Sequence, residues 1–227
     1  MTSLKRALTQ VSVAAAAFSW VIGASAQHLT DRAGKWDFSL PVQYTDSTTL
    51  SGDMGSSADI DSAIGWGFGF GYNFNDHWAL GMNFIWNEAD YSATTTPDAG
   101  NISAPLRFSG TLQTMTTSVN ATYNFLARAL TPFVTAGIGR TWVDTNIPDG
   151  PPAAVCWWDP WWGYYCGSTV PTKSEDYWSY NVGAGMRWDA KGPLFLRGML
   201  SRQWVDVGGG IGKPDFTQAR IEVGLRF

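Results

Sequence analysis

Histidine and cysteine each occur only twice in 227 residues, and those two scarcities close off whole classes of chemistry. His28 lies beside an expected cleavage site and His77 in an expected tight turn, so neither stands with a serine as the base of a nucleophilic triad. No carboxylate pairing stands out in their place. Two cysteines without neighbouring histidines make a poor metal site, and no cofactor is expected. Basic residues are also few, 15 against 19 acidic, and the formal charge of −4 offers nucleic acid no electrostatic footprint. Beyond the N-terminal region no stretch approaches the ~18 consecutive apolar residues of a membrane-crossing helix, which excludes a helical membrane protein.

Aromatic rings and glycine are abundant instead: 13 Trp, 12 Phe, 8 Tyr and 25 Gly. Between Ile64 and Phe74 the chain reads Ile-Gly-Trp-Gly-Phe-Gly-Phe-Gly-Tyr-Asn-Phe. As an extended strand it puts Ile64, Trp66, Phe68, Phe70 and Tyr72 on one face and Gly65, Gly67, Gly69 and Gly71 on the other. In a water-soluble sheet the bulky face would need a core, and the opposite face would carry polar groups rather than bare backbone. A narrow barrel satisfies both faces, with small residues in its crowded interior and rings against lipid. Alternation of this kind also reconciles the heavy aromatic usage with a near-neutral mean hydropathy of −0.12.

The N-terminus has the three parts of a secretory signal: Lys5 and Arg6, an apolar stretch from Val11 to Gly23, and the small-residue pattern Ala24-Ser25-Ala26. Residues 1–26 are therefore expected to be cleaved, leaving 27–227 as one barrel domain. Loss of Lys5 and Arg6 takes the basic count from 15 to 13 against 19 acidic residues, a formal charge of −6. Two glycine-rich stretches fail as phosphate loops. The run from Gly65 to Gly71 lacks the GxGxxG spacing. In the stretch from Gly208 to Pro214, Val207 stands where glycine is needed and Pro214 where Ser or Thr is needed.

Eight segments alternate with period two. The first, about Lys35 to Thr45, sets Trp36, Phe38, Leu40, Val42 and Tyr44 against Lys35, Asp37, Ser39 and Gln43. Pro41 within it cannot donate to a ladder, which predicts a bulge or an unpaired position. The glycine-lined second segment turns at Asn75-Asp76 into a third carrying Trp78, Leu80, Met82, Phe84 and Trp86. The fourth places Met115, Val119, Ala121, Tyr123 and Phe125 outward, and the fifth Val134, Ala136, Ile138 and Trp142. The sixth presents Trp178, Tyr180, Val182, Ala184, Met186 and Trp188, opposite Asn181, Gly183, Gly185 and Arg187. The facing of the seventh, Leu194 to Val205, stays open because Arg202 shares parity with Leu196, Leu200 and Trp204. The eighth ends the chain. Long and short connections alternate, so the short turns belong in the periplasm and the long loops outside. Trp178 and Trp188 stand ten residues apart, a span of roughly 25 Å along the membrane normal at a strand tilt near 40°. Trp66, Trp86, Trp142, Trp178 and Trp204 would form the outer aromatic girdle, and Trp78, Tyr123, Phe125, Trp188 and Phe227 the inner one.

With these residues in place, the chain resembles the small eight-stranded outer-membrane barrels of the OmpA/OmpX-like and opacity-protein type over its whole mature length. The most specific element is the last strand. Ile221, Val223, Leu225 and the terminal Phe227 match the alternating pattern with a final aromatic that the outer-membrane assembly machinery recognises in such proteins. The resemblance implies an all-β, antiparallel up-and-down transmembrane barrel in a Gram-negative outer membrane, with lipid and lipopolysaccharide as neighbours. No periplasmic peptidoglycan-binding domain follows the barrel, so cell-wall anchoring is not carried over.

Two groups of residues remain as candidate sites. Asp37, Arg187, Arg220, Glu222 and Arg226 fall on inward positions, with Arg197 a further candidate. A mutually paired network filling the narrow lumen accounts for them better than an ion path. The second group lies in the longest connection, Cys156-Trp157-Trp158-Asp159-Pro160-Trp161-Trp162-Gly163-Tyr164-Tyr165-Cys166. A disulfide is the expected state of Cys156 and Cys166 outside the cytoplasm, stabilising by about 3 kcal/mol on the chain-entropy model. Trp157, Trp158, Trp161, Trp162, Tyr164 and Tyr165 could then recognise a host or surface ligand. Alternatively, they pack on neighbouring loops or dip into the outer leaflet. The expected function is a non-enzymatic surface barrel, structural in the envelope or adhesive through its loops. The rivals are a narrow channel for small or hydrophobic solutes, a lipid-modifying barrel enzyme, and a soluble lipocalin-type carrier with the rings turned inward.

Overall fold

The computed structural model describes residues 30–51, 57–95, 106–148, 153–161, 163–169, 172–207 and 214–227. The expected signal segment therefore lies outside the described residues, as do Trp162 and the glycine loop at 208–213. Among the described residues twelve strands follow one another: β1 (Trp36–Thr45), β2 (Thr48–Ser51), β3 (Ser57–Ile60), β4 (Ala63–Asn73), β5 (Trp78–Thr95), β6 (Leu106–Asn124), β7 (Leu130–Pro148), β8 (Ala153–Asp159), β9 (Gly163–Thr169), β10 (Thr172–Asp189), β11 (Leu194–Asp206) and β12 (Asp215–Arg226). Eight of them, β1, β4, β5, β6, β7, β10, β11 and β12, pair antiparallel in that order, and β12 returns to β1 to close the barrel.

The alternation faces as the sequence predicts. Ile64, Trp66, Phe70, Trp78, Leu80, Ile138, Trp178 and Ile221 stand exposed on the outer wall, while Ser39, Gln43, Ser118, Asn120, Thr122 and Glu222 are buried in the lumen. This polarity overturns the lipocalin-type alternative, which requires the rings inside. The seventh barrel strand, β11, is settled too. Phe195, Ser201, Gln203 and Val205 are buried, whereas Leu200 is exposed. Arg202 points outward near the strand's outer end, where its Nε donates to Asp215 Oδ2 at 2.8 Å.

Three features depart from or sharpen the sequence reading. First, the connections hold four short strands beyond the eight barrel strands. β5 continues past the last paired residue of β4, leaving an open edge that β3 covers from Ile60↔Tyr91 to Ser57↔Thr94, as unpaired edges tend to be covered. Second, β8 and β9 form a separate hairpin. Third, Pro41 makes an unpaired position and no bulge. Its register with β12 is continuous at Pro41↔Glu222, while pairing with β4 skips from Ser39↔Gly69 to Val42↔Trp66 without a shift.

The glycine face of β4 is a packing requirement. A Cβ on Gly67 would fall inside contact distance of the Phe84 carbonyl oxygen, and one on Gly69 inside that of the Asn83 side chain. Only a bare backbone lets β4 lie this close to β5. Gly198 on the outer wall has nothing within 4 Å of such an atom. Gly67→Val should therefore cost at least about 1–3 kcal/mol by overpacking and deplete the fast-migrating unboiled band on a detergent gel, whereas Gly198→Ala should leave that band intact. Equal band intensities for the two variants would refute the account.

Candidate functional site

The inner half of the lumen is a paired charge cluster. Arg187 on β10 is fully buried and grips Asp37 of β1 with both terminal nitrogens, Nη1–Oδ2 at 2.6 Å and Nη2–Oδ1 at 3.2 Å. Its Nε donates to Asp189 Oδ1 at 2.9 Å, and its guanidinium lies 4.3 Å from the ring centre of Phe195. Arg197 reaches the same Asp37 at 2.9 Å and Glu222 at 3.5 Å. Arg220 approaches Glu222 at 3.6 Å and donates twice to Gln43 Oε1, at 2.9 and 2.6 Å. All six residues expected in the lumen network thus come together, since Arg226 joins through Asp189 at 3.1 Å.

Two members escaped the sequence reading. Asp189 shares parity with Arg187 and ends β10, so the alternation of the sixth segment carries its signal one residue beyond Trp188. Arg32 precedes the first alternating segment and left no periodic trace. In the structure Arg32 is fully buried and pairs with Asp189 at 3.0 Å. It donates to the Leu126 carbonyl at 2.6 Å, and its backbone N–H to Asp76 Oδ1 at 3.1 Å. Thr30 donates its N–H to Ala127 O at 3.4 Å and accepts from Arg226 at 3.0 Å. The segment from Thr30 to Lys35 therefore touches the turn after β4 at Asp76, the turn after β6 at Leu126 and Ala127, and the last residue of β10, Asp189, and forms a strap across the inner mouth. Loss of hydration pushes the Arg32 guanidinium down to about 10, so it remains charged at neutral pH.

Towards the outer end the lumen fills with amides and hydroxyls. Gln218 donates to Gln203 at 2.7 Å, Gln203 to Thr141 at 3.3 Å, and Thr141 meets Thr116 at 3.0 Å. Two cavities inside the barrel have volumes of about 40 Å³ and about 60 Å³, room for isolated waters and little more.

The hairpin β8–β9 carries the aromatic loop. Cys156 and Cys166 lie opposite each other and are joined by a disulfide. Trp158 and Tyr164, two residues nearer the tip on the same face, meet edge-on with ring centres 5.5 Å apart. Trp158, Trp161 and Tyr164 are 64%, 84% and 78% exposed. Gly163 closes the tip at φ +76°, a conformation that glycine adopts without penalty. Trp157 and Tyr165 face each other in register. On β12, Ile221, Val223 and Leu225 point outward and are exposed, as is Phe227 just after it. Of the histidines, His77 places Nδ1 2.8 Å from the Asn124 carbonyl and stacks on Tyr123, a turn-fastening role, while His28 lies outside the described residues.

A family model described as outer membrane protein beta-barrel domain matches residues 13–227. In shape the chain is similar to the N-terminal β-barrel domain of OprF from Pseudomonas aeruginosa, at 16% identity and a TM-score of 0.48, covering 86% of this chain and 98% of that one. It is also similar to Ail, the attachment invasion locus protein of Yersinia pestis, solved with the heparin analogue sucrose octasulfate, at 12% identity, a TM-score of 0.49 and coverages of 86% and 99%. OprG of Pseudomonas aeruginosa gives 12% identity, a TM-score of 0.49 and coverages of 86% and 97%. No curated protein matches the sequence.

Removing one partner from a buried ion pair strands the other. Arg187→Met should accordingly destabilise the barrel by about 3–5 kcal/mol, read as a lowered urea midpoint in lipid vesicles. Asp37→Asn combined with Arg187→Met should cost less than the sum of the two single changes, and strict additivity would dissolve the proposed coupling. With the strap seated and the lumen filled, the protein in a planar bilayer should give no steady conductance; a reproducible open level would overturn the plug.

Proposed function

The chain belongs to the outer membrane protein β-barrel domain family, resident in the Gram-negative outer membrane, and on that premise we propose that it is a non-enzymatic surface barrel acting through its outer loops. The observation that carries this reading is the division between interior and exterior. The interior is spent on self-pairing: every charged residue of the lumen cluster has an opposite partner within about 4 Å, and the strap covers the inner mouth. Such an interior stabilises the envelope and leaves little for a solute to traverse.

The exterior is built to present rings. β5, β6, β7 and β10 run 18 or 19 residues, against 10 to 13 for β1, β4, β11 and β12, so one side of the wall stands higher than the other. The disulfide hairpin sits in the connection between β7 and β10, on that raised side. Exposed tryptophan and tyrosine held at low conformational cost are effective anchors for a partner's pocket or a sugar face. On this reading Trp157, Trp158, Trp161, Trp162, Tyr164 and Tyr165 contact a host or surface ligand. Lipid and lipopolysaccharide surround the wall, and Ile221, Val223, Leu225 and Phe227 serve the assembly machinery.

Replacing Trp157, Trp158, Trp161 and Trp162 with serine should leave heat-modifiable gel migration unchanged and abolish adhesion of expressing cells to immobilised matrix proteins and glycans. Undiminished adhesion by correctly assembled protein would end the recognition reading.

A further inference from the structure

The chain holds two cysteines, and they meet at one rung of the outer hairpin. Cys156↔Cys166 is the fourth of the seven pairs that join β8 to β9, with Val155↔Gly167 on one side of it and Trp157↔Tyr165 on the side of the tip. Both cysteines are exposed. A disulfide that staples a core is packed inside it, whereas this one lies on the surface of a ribbon. Exposed disulfides are the ones that thiols reduce.

The approach to the bond is open too. A thiolate attacks a disulfide sulfur in line with the S–S bond, from the side away from the sulfur that leaves. This disulfide bridges two strands directly across their ladder, so the two lines of attack come in past the outer edges of β8 and β9. Among the described residues β8 and β9 pair only with each other. In a wider sheet a neighbouring strand would stand in both paths.

Opening the bond changes what the hairpin presents. A two-stranded ribbon is marginal in water, and here the covalent rung is the middle one. One rung further along the same face, Trp158 and Tyr164 meet edge-on with ring centres 5.5 Å apart, a contact that requires the strands to stay in register. Loss of the crosslink returns to the chain the entropy that the bond removed, and the ring pair parts as the ribbon frays. The eight barrel strands contain no cysteine, so the same reaction leaves the wall untouched.

We propose that the disulfide of Cys156 and Cys166 is an exchange site for low-molecular-weight thiols in the cell's surroundings, and that opening it turns the hairpin from an ordered platform of rings into a loose loop. The thiolate of one small thiol bonds to one cysteine sulfur as the S–S bond breaks, and the bonding pair leaves with the other cysteine, which takes a proton from water. A second thiolate attacks the small-molecule sulfur of the mixed disulfide and frees the first cysteine. Two small thiols are oxidised to one disulfide while the protein's disulfide is reduced to two thiols. The exchange is independent of what the rings bind; only its bearing on recognition rests on the adhesive reading.

The test uses the full chain in nanodiscs, treated with reduced glutathione at neutral pH, quenched with N-ethylmaleimide and measured by intact mass spectrometry. Two ethylmaleimide additions should appear on protein that keeps its fast unboiled gel migration. Failure of both to appear until the protein is boiled would overturn the site. Chymotrypsin should then cut between Cys156 and Cys166 at least about tenfold faster in the opened protein than in the oxidised one. The double variant Cys156→Ser with Cys166→Ser should be cut at the fast rate with or without glutathione, which separates opening of the bond from any other action of the thiol. Equal cutting of oxidised and opened protein would overturn the switch. Neither readout involves adhesion, so a failure here is distinct from a failure of the recognition reading.

Discussion

A guanidinium with no water around it, Arg187, is held by two carboxylates that have themselves left water, and the inner half of the barrel is arranged about that fact. Eight strands enclose a space that side chains fill, so each inward charge must find its complement within the wall or be left stranded. Asp37 answers Arg187 from across the closure of the barrel, and Arg197 then shares Asp37 with Glu222. Neutral neighbours follow the same economy of space, with glycines where β4 meets β5 and amides chained from Gln218 to Thr141. The outward rings are the other half of the constraint, because beyond Phe133 and Phe195 a lumen this full has little room for large rings.

Strand number, facing and closure were legible in the sequence because alternation with period two is a local signal that tertiary context does not erase. Ile64 to Tyr72 against Gly65 to Gly71 needed no partner to be read. Arg202 obscured its strand for the opposite reason. Its outward position is tolerated only because it lies near the outer rim with Asp215 beside it, a fact of register that no single segment carries. Arg32 was invisible for want of periodicity: it belongs to no strand, and its importance comes from Asp76, Leu126 and Asp189, which are far apart in the chain. The β2–β3 pair was missed because β3 forms by covering an edge that exists only once β5 has outgrown β4.

The hairpin shows how little the wall dictates of what stands above it. A two-stranded ribbon is marginal alone, and β8–β9 pairs with no barrel strand among the described residues. The covalent link between Cys156 and Cys166 supplies part of what the absent sheet neighbours do not, and Gly163 lets the tip turn without strain. The aromatic residues of the hairpin can thus change without disturbing the charge cluster on the other side of the membrane.

The boundary between first and last strands has a consequence of its own. β1 and β12 are joined by an ordinary ladder from Asp37↔Arg226 to Thr45↔Gln218, and Trp36 and Phe227 exchange backbone hydrogen bonds at its foot. Behind that ladder, Gln43 is tied to Arg220, and Asp37 reaches over to Arg197, so the seam is laced from within as well as zipped along its edge. Sideways parting of the first and last strands would have to tear hydrogen bonds and expose unpaired ions to hydrocarbon in the same motion, which makes this join a poor exit into the bilayer.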